Sequence, residues 1–472
     1  MTPLRSVAVF VGIGLAIVVA VVCERVFGLS SAASVTAGVT ILCGVWWCTE
    51  AVPIPVTSLV PFVVFPFAGV LDHGQLASAY GDKFVLLFLA GFMISRAAES
   101  SQTHLRVSHG MMKLLGTRSQ RRIVIGFMLA PALCSMWISN TATALIMLPV
   151  ALAVLQEQND PKLNVPLLLA VAYGSSVGGI ATIIGTPPNG VFVSIYEQQT
   201  ARTVDFFSWL RIGLPVAAMM LVATGVWLTR GLGVPAKPIA QNLGPWKPYQ
   251  RRVLSIIAIT ALLWVTRSAP WGGWSQWCGV PMAHDATVGL AAVVLMFLVP
   301  SGERDEKGQA KCLLDWETAR DIPWGILILF GGGLAIARAA EVSGLSETIG
   351  NQLALLKDFH PVLLIAAVCL AVTFLTEVTS NTATTTLLMP ILGAAAVGAG
   401  YDASMLMVPA ALSASCAFML PVATPPNAIV FGSERITVRE MAQAGFVLNV
   451  IGVIVITLVC YCLLDFESGI GH

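Results

Sequence analysis

Long apolar runs separated by short polar breaks dominate this chain of 472 residues. Ser6–Val22, Ile212–Leu228 and Phe446–Leu463 approach the roughly 20 residues a helix needs to cross a bilayer. Val253–Val265 and Ala286–Val299 are shorter and reach across only with their flanks. The runs are continuous rather than alternating, so the spanning backbone is predicted as helix and not as barrel strand. The first run follows one positive charge, Arg5, and has no small-x-small cleavage site before Glu24, which reads as a retained span.

Four segments are interrupted. Ser139-Asn140-Thr141 lies near the middle of Ile123–Leu155, and Ser380-Asn381-Thr382 near the middle of Pro361–Ala396. Thr186-Pro187-Pro188-Asn189 breaks Val165–Tyr196, and Thr424-Pro425-Pro426-Asn427 breaks Met405–Gly432. Two prolines in a row remove two backbone donors and clash with the preceding turn, so no continuous helix is predicted there. Non-helical backbone at membrane depth is tolerated only where protein buries it or a cavity borders it. The pattern predicts an all-α polytopic membrane protein of about 11 transmembrane helices, two re-entrant hairpins and two broken helices.

The interruptions are also duplicated. Ser139 to Thr143 with Pro149 recurs as Ser380 to Thr384 with Pro390, an offset of 241. Arg96-Ala97-Ala98-Glu99 recurs as Arg338-Ala339-Ala340-Glu341 at 242, and the Thr-Pro-Pro-Asn motif at 238. Three ordered matches at nearly one offset divide the chain into an extra N-terminal helix (1–29), one unit at 30–231, a polar linker at 232–251 and a second unit at 252–464. The hairpins are placed at about 122–155 and 361–396, and the broken helices at about 163–200 and 405–435. Matching broken segments in two halves are the sequence pointer to a secondary transporter's binding site.

Composition narrows the class. Charged residues are 11% and hydrophobic ones 56%, against about 25% charged in a soluble domain. The mean hydropathy is +0.82. Most soluble enzyme classes are excluded, and a net charge of +1 gives no reason to expect nucleic acid. The ten cysteines form no CxxC or Cys/His spacing, so buried apolar roles are expected of them. With this topology six basic residues (Arg25, Lys83, Arg202, Arg211, Arg267, Lys357) fall on one side, eighteen on the other, and Arg96 and Arg338 within spans. The excess puts the N-terminus in the cytoplasm and the C-terminus outside. Five spans per unit then make the second unit inverted.

The motifs have a chemistry of their own. A half-helix N-terminus offers free N–H groups to a carboxylate. The opposing half-helix end offers carbonyls, and Ser, Asn and Thr add neutral oxygens and donors. Two such tips suit two carboxylate groups of one substrate. No Lys or Arg stands in the four motifs, so a co-bound cation must neutralise a dianion. Neutral oxygens without clustered His or Cys point to Na⁺ rather than a transition metal. Elsewhere the expectations are structural: Arg96 with Glu99 and Arg338 with Glu341 pair locally at i, i+3. Trp46, Trp47 and the tryptophans of 271–277 anchor the interface, and His104 and His109 are solvated. Glu377, which has Met136 at the matching position of the first unit, either tunes a cation site or is a paired buried acid.

These motifs, with Trp46-Trp47, Thr49 to Ile54, and Ile322-Pro323-Trp324-Gly325 leading to Gly331-Gly332-Gly333, resemble the divalent anion:sodium symporters over nearly the whole chain. That family carries di- and tricarboxylates. The resemblance implies an inverted repeat, a homodimer, and an elevator in which hairpins and broken helices move against a fixed scaffold in a bacterial-type inner membrane. By motif, one Na⁺ site is expected at Ser135, Ser139, Asn140 and the backbone of Gly185. A second is expected at Thr376, Thr379, Asn381 and the backbone of Ala423. Substrate carboxylates are expected at Ser139, Asn140, Thr141, Ser380, Asn381 and Thr382, with Thr186-Pro187 and Thr424-Pro425 closing the cavity. The second motif reads Thr376-Glu377-Val378-Thr379-Ser380-Asn381-Thr382, and the residue type at Thr379 is neutral if only its backbone is used. Na⁺-coupled symport of a C4-dicarboxylate of the succinate, malate or fumarate class is the leading expectation. Citrate, sulfate or another oxyanion, or Na⁺-independent exchange, is the alternative. A channel or membrane-embedded enzyme is the different-class reading. HExxH is absent, and Asp72, Asp82, Asp285 and Asp402 all stand at span ends.

Overall fold

The computed structural model describes residues 3–116, 118–233, 244–268, 272–304, 308, 310–352 and 358–464. Lys357 and Trp271, and the part 234–243 of the expected linker, lie outside these. The first part runs through α1 (Pro3–Arg25), α2 (Ser31–Thr49), α3 (Ile54–Thr57), α4 (Val60–Phe67), α5 (His73–Tyr80), α6 (Lys83–Ser100) and α7 (Thr103–Leu115). Two interrupted pairs follow, α8 (Gln120–Ser135) with α9 (Asn140–Gln158), and α10 (Asn164–Ile180) with α11 (Pro187–Thr200), before α12 (Phe206–Thr229). Next come α13 (Pro248–Val265), α14 (Gly273–Trp277), α15 (Asp285–Leu298), α16 (Trp316–Ala319), α17 (Trp324–Val342) and α18 (Leu345–Gln352). The interruptions recur in α19 (Pro361–Leu375) with α20 (Asn381–Gly398) and α21 (Ser404–Ala414) with α22 (Pro425–Phe431), and α23 (Val438–Leu463) closes the fold.

Eight helical segments are long and apolar enough to cross a membrane among the described residues. The architecture is accordingly helical and polytopic. One departure from an all-helical expectation is a two-stranded antiparallel ribbon, β1 (Pro300–Arg304) with β2 (Ala310–Cys312). Its polar sequence has no apolar periodicity to announce it.

All ten cysteines are free. α1 packs on α2, where a Cβ at Gly38 would sit 2.9 Å from Ala16 O. That contact corrects the anchor reading of the tryptophan pair. Trp47 is 1% exposed and donates to Ser58 Oγ at 3.1 Å, while Trp46 donates to Val9 O at 3.3 Å. Trp274 is likewise bonded within the protein, to Leu263 O at 2.8 Å, whereas Trp277 is exposed. His104 is also buried rather than solvated, with Nδ1 3.1 Å from Ala98 O, and burial pushes its imidazole below the usual range; His109 is half-buried. The histidine departs from expectation because the short α7 packs against α8 instead of lying in solvent.

α10 is buried on every side from Leu167 to Ile180, and α21 from Ser404 to Ala414. Gly174 and Gly178 bring it so close to α8 that a Cβ would collide with Met128 O and Ala132 O. Small residues let backbones approach where no hydrophobic force separates helix from lipid. The base of the α8–α9 pair is pinned by Gln120 Nε2 donating to Asp160 Oδ2 at 2.7 Å, so the chain leaves and returns at the same level. That bond, with the Lys162 backbone, holds the Asp160 carboxyl below the usual carboxylate range.

Candidate functional site

Both Ser-Asn-Thr motifs start helices. Ser139 caps α9 by accepting from Ala142 N at 3.3 Å, and Ser380 caps α20 from Ala383 N at 3.5 Å. A serine at this position satisfies one orphan donor and leaves its neighbours free, and the helix dipole adds partial positive charge there. The first tip is steadied from α6: Ser139 N donates to Ser95 Oγ at 3.3 Å, and Ser95 Oγ donates to Glu99 Oε1 at 3.1 Å.

The two tips border one cavity of about 1180 Å³. Its wall includes Ser139, Asn140, Thr141, Gly185, Thr186 and Pro187 from one half. Thr379, Ser380, Asn381, Thr382, Ala423, Thr424 and Pro425 come from the other. Every residue singled out by motif thus borders the cavity except Ser135 and Thr376, which are fully buried behind the tips.

Those two anchor oxygen clusters. Ser135 Oγ meets the Asn140 amide, and the same amide position lies 3.3 Å from Ser175 O and 3.2 Å from Gly185 O. An amide nitrogen there donates to all three oxygens; an amide oxygen there completes a four-oxygen shell suited to a hard cation. In the second half Thr376 Oγ1 lies 2.5 Å from Asn381 Oδ1 and 3.1 Å from Ala414 O. The Thr379 hydroxyl bonds Leu375 O at 2.8 Å and Thr384 Oγ1 at 2.7 Å, an arrangement compatible with the backbone-only use allowed for that position.

The breaks are held by a residue the motif reading passed over. Asn189 Nδ2 donates to Gly179 O, Ile180 O and Thr182 O at 3.1, 3.3 and 2.7 Å. Asn427 Nδ2 donates to Ala417 O at 3.1 Å and Leu420 O at 3.0 Å. The last Asn of Thr-Pro-Pro-Asn therefore satisfies the orphan carbonyls that the break creates. Its recurrence with the prolines was the available signal.

Glu377 resolves as a staple for the second break. It is 3% exposed and accepts from Phe418 N at 2.8 Å, Met419 N at 2.9 Å, Leu420 N at 3.0 Å and Asn449 Nδ2 at 2.7 Å. The first half caps its link differently, with Thr182 Oγ1 donating to Met136 O at 2.6 Å.

Charge gathers at the end of the cavity where Arg96, Glu99 and Asp321 also line an adjoining hollow of about 520 Å³ that adds Asp315, Glu317 and Arg320; Arg5 and Glu50 border the cavity too. Asp315 caps α16 through Thr318 N at 2.8 Å, which holds its carboxyl below the usual range. Arg96 pairs with Glu99 at 2.5 Å and Arg338 with Glu341 at 2.7 Å, as their spacing predicts, although Arg96 and Glu99 also face the cavity. At the tip of the α8–α9 pair the wall residue Trp137 stacks on Phe206 and Trp264, with ring centroids 5.8 and 6.4 Å away. Charged groups gather around the start of α12. Arg267 pairs with Asp285 at 2.5 Å, Asp285 accepts from Phe206 N at 3.2 Å, and Lys83 pairs with Glu197 at 2.5 Å. Asp285 stands at a helix start as expected but is fully buried.

Known proteins with similar sequences include the sodium-dependent dicarboxylate transporters SdcS of Staphylococcus saprophyticus and Staphylococcus aureus. Each is 37% identical, over 455 and 454 residues, with 92% of this chain and 86% of the relative covered. Among solved structures, the Alcanivorax borkumensis YdaH transporter superposes with a TM-score of 0.61 at 12% identity, over 92% of this chain and 100% of that one. MtrF of Neisseria gonorrhoeae superposes at 0.55 and 13% identity, over 83% and 82%. These two are likenesses of fold. Residues 6–464 match the family described as the sodium:sulfate symporter transmembrane region, and the chain belongs to that family.

Proposed function

We propose that this chain is a secondary active transporter that carries a C4-dicarboxylate of the succinate, malate or fumarate class together with Na⁺. The observation that carries the reading is the pairing of two helix N-termini and two neutral oxygen clusters around one cavity, with no basic side chain in the motifs. Each N-terminus suits one carboxylate, and the cations supply the charge the tips lack. The names of the staphylococcal relatives support the same substrate class.

In this reading Asn140, with Ser135, Ser139 and the Gly185 backbone, holds one Na⁺. Asn381, with Thr376 and the backbones of Thr379 and Ala423, holds another. Thr141 and Thr382 meet the carboxylates beside Ser139, Asn140, Ser380 and Asn381, while Thr186-Pro187 and Thr424-Pro425 shape the cavity floor. The α8–α9 and α19–α20 pairs act as re-entrant hairpins of two inverted units. They move with α10–α12 and α21–α23 as an elevator against the remaining helices, in a homodimer. The charged end of the cavity faces the cytoplasm, where the basic excess also puts the N-terminus.

Substitution and competition test the assignment. Asn140→Ala is expected to weaken apparent affinity for Na⁺ and for substrate together, and Thr382→Ala to weaken substrate more than Na⁺. Unchanged transport in both would remove the motifs from the site. A panel of unlabelled anions separates dicarboxylate from the second reading, sulfate or citrate, which the family's description keeps in view.

A further inference from the structure

Seventeen buried side-chain atoms lack a hydrogen-bond partner among the described residues, and three of the residues that carry them border the cavity: Arg96, through its Nε, and the serines Ser176 and Ser415. Both serines are 2% exposed. They stand 239 positions apart, within the offset that relates the two halves, one on α10 and one at the end of α21. A helical serine ordinarily turns its hydroxyl back to the carbonyl four residues earlier, as Ser175 does to Val171 O at 2.8 Å. Ser176 and Ser415 make no such bond. An unpartnered buried hydroxyl costs free energy, so its persistence at matched positions asks for a ligand.

The neighbouring backbone says which ligand. Ser176 follows the carbonyl of Ser175, which faces Asn140 at 3.3 Å, and Ser415 follows the carbonyl of Ala414, which faces Thr376 at 3.1 Å. Each serine is therefore joined through the chain to a residue whose carbonyl belongs to a cluster already described, and borders the cavity from the broken helix rather than from the tip. Its unpartnered hydroxyl has lone pairs to add to the set of hard, neutral oxygens that suits a small cation. We infer that Ser176 and Ser415 are a matched pair of cation ligands, one for each Na⁺, that complete the shells begun by Ser135–Asn140 and Thr376–Asn381. The inference rests on the Na⁺-coupled reading proposed above. It also gives the broken helices a direct hold on the ions, so that cation binding draws each tip against its broken helix.

The test uses the full chain reconstituted in proteoliposomes. Succinate uptake is measured across graded Na⁺ at constant ionic strength, and KM at saturating Na⁺, for wild type, Ser176→Ala, Ser415→Ala and the double variant. Na⁺ half-saturation is expected to rise about 3–10-fold in each single variant and further in the double, the loss of one modest oxygen contact. The KM for succinate at saturating Na⁺ is expected to stay within about twofold of wild type, less than the loss of one substrate hydrogen bond produces. Ser176→Cys and Ser415→Cys keep the side chain's shape, replace the hard oxygen with sulfur, and are expected to shift Na⁺ dependence the same way. A wild-type Na⁺ response in the variants, or a raised KM without a Na⁺ shift, overturns the inference and leaves the coupled reading standing. Uptake by the wild type that ignores Na⁺ overturns both.

Discussion

Asn427 Nδ2 donates to Leu420 O at 3.0 Å across the gap between α21 and α22, and Asn189 Nδ2 does the same for Thr182 O at 2.7 Å between α10 and α11. One side chain in each half thus closes the break that its own two prolines open. Asn189→Ala and Asn427→Ala strand two or three buried carbonyls each, and each is expected to cost about 1–3 kcal/mol of stability. Thermal melting in detergent checks the cost. A parallel rise in Na⁺ half-saturation is expected, because Gly185 and Ala423 lie in the segments these amides hold.

Glu377 offers a graded version of the same argument. Glu377→Ala leaves three backbone N–H groups and Asn449 without their acceptor, whereas Glu377→Gln keeps one accepting oxygen. The alanine variant is expected to lose at least about 3 kcal/mol and the glutamine variant less. Melting temperatures in that order support the staple; equal melting of both variants and wild type contradicts it.

Arg267 and Asp285 test the charged cluster around the start of α12. Asp285 is fully buried, so Arg267→Ala leaves an uncompensated charge and is expected to destabilise by about 3–5 kcal/mol. Arg267→Gln with Asp285→Asn removes both charges and is expected to recover much of that loss. A double variant no more stable than Arg267→Ala counts against the pairing.

His284 supplies a pH dependence. Its Nδ1 accepts from Ala286 N at 3.3 Å, and burial, with Lys83 and Arg267 nearby, pushes its imidazole down to about 4. The unfolded ring titrates near 6.5, so the neutral ring's contribution is complete above pH ~6.5 and is lost as pH falls toward ~4. Melting temperature is expected to fall over that window, and more shallowly in His284→Asn, which caps without titrating there. Equal slopes in both proteins would remove His284 from the pH response.

The helical membrane class and the places where helices break were legible because prolines and polar tripeptides inside apolar runs have few structural solutions. The duplicated offsets of 238 to 242 relate the residues of the two motif sets that the fold brings to one cavity. Burial set by tertiary packing was not legible. Trp47 and His104 carry polar atoms that suit an interface, yet each finds a partner only once α3 and α7 have folded back. Ser176 and Ser415 are invisible in sequence for a similar reason, since only the packed helix shows which hydroxyls lack a carbonyl. Asn189 and Asn427 were within reach, because a residue retained beside two prolines in both halves has a backbone to satisfy.

The most direct measurement is initial succinate uptake into proteoliposomes under an inward gradient of NaCl, compared with choline chloride at equal ionic strength. Coupled transport predicts uptake in Na⁺ that rises sigmoidally with concentration and falls to background in choline. Equal uptake in the two salts would contradict it.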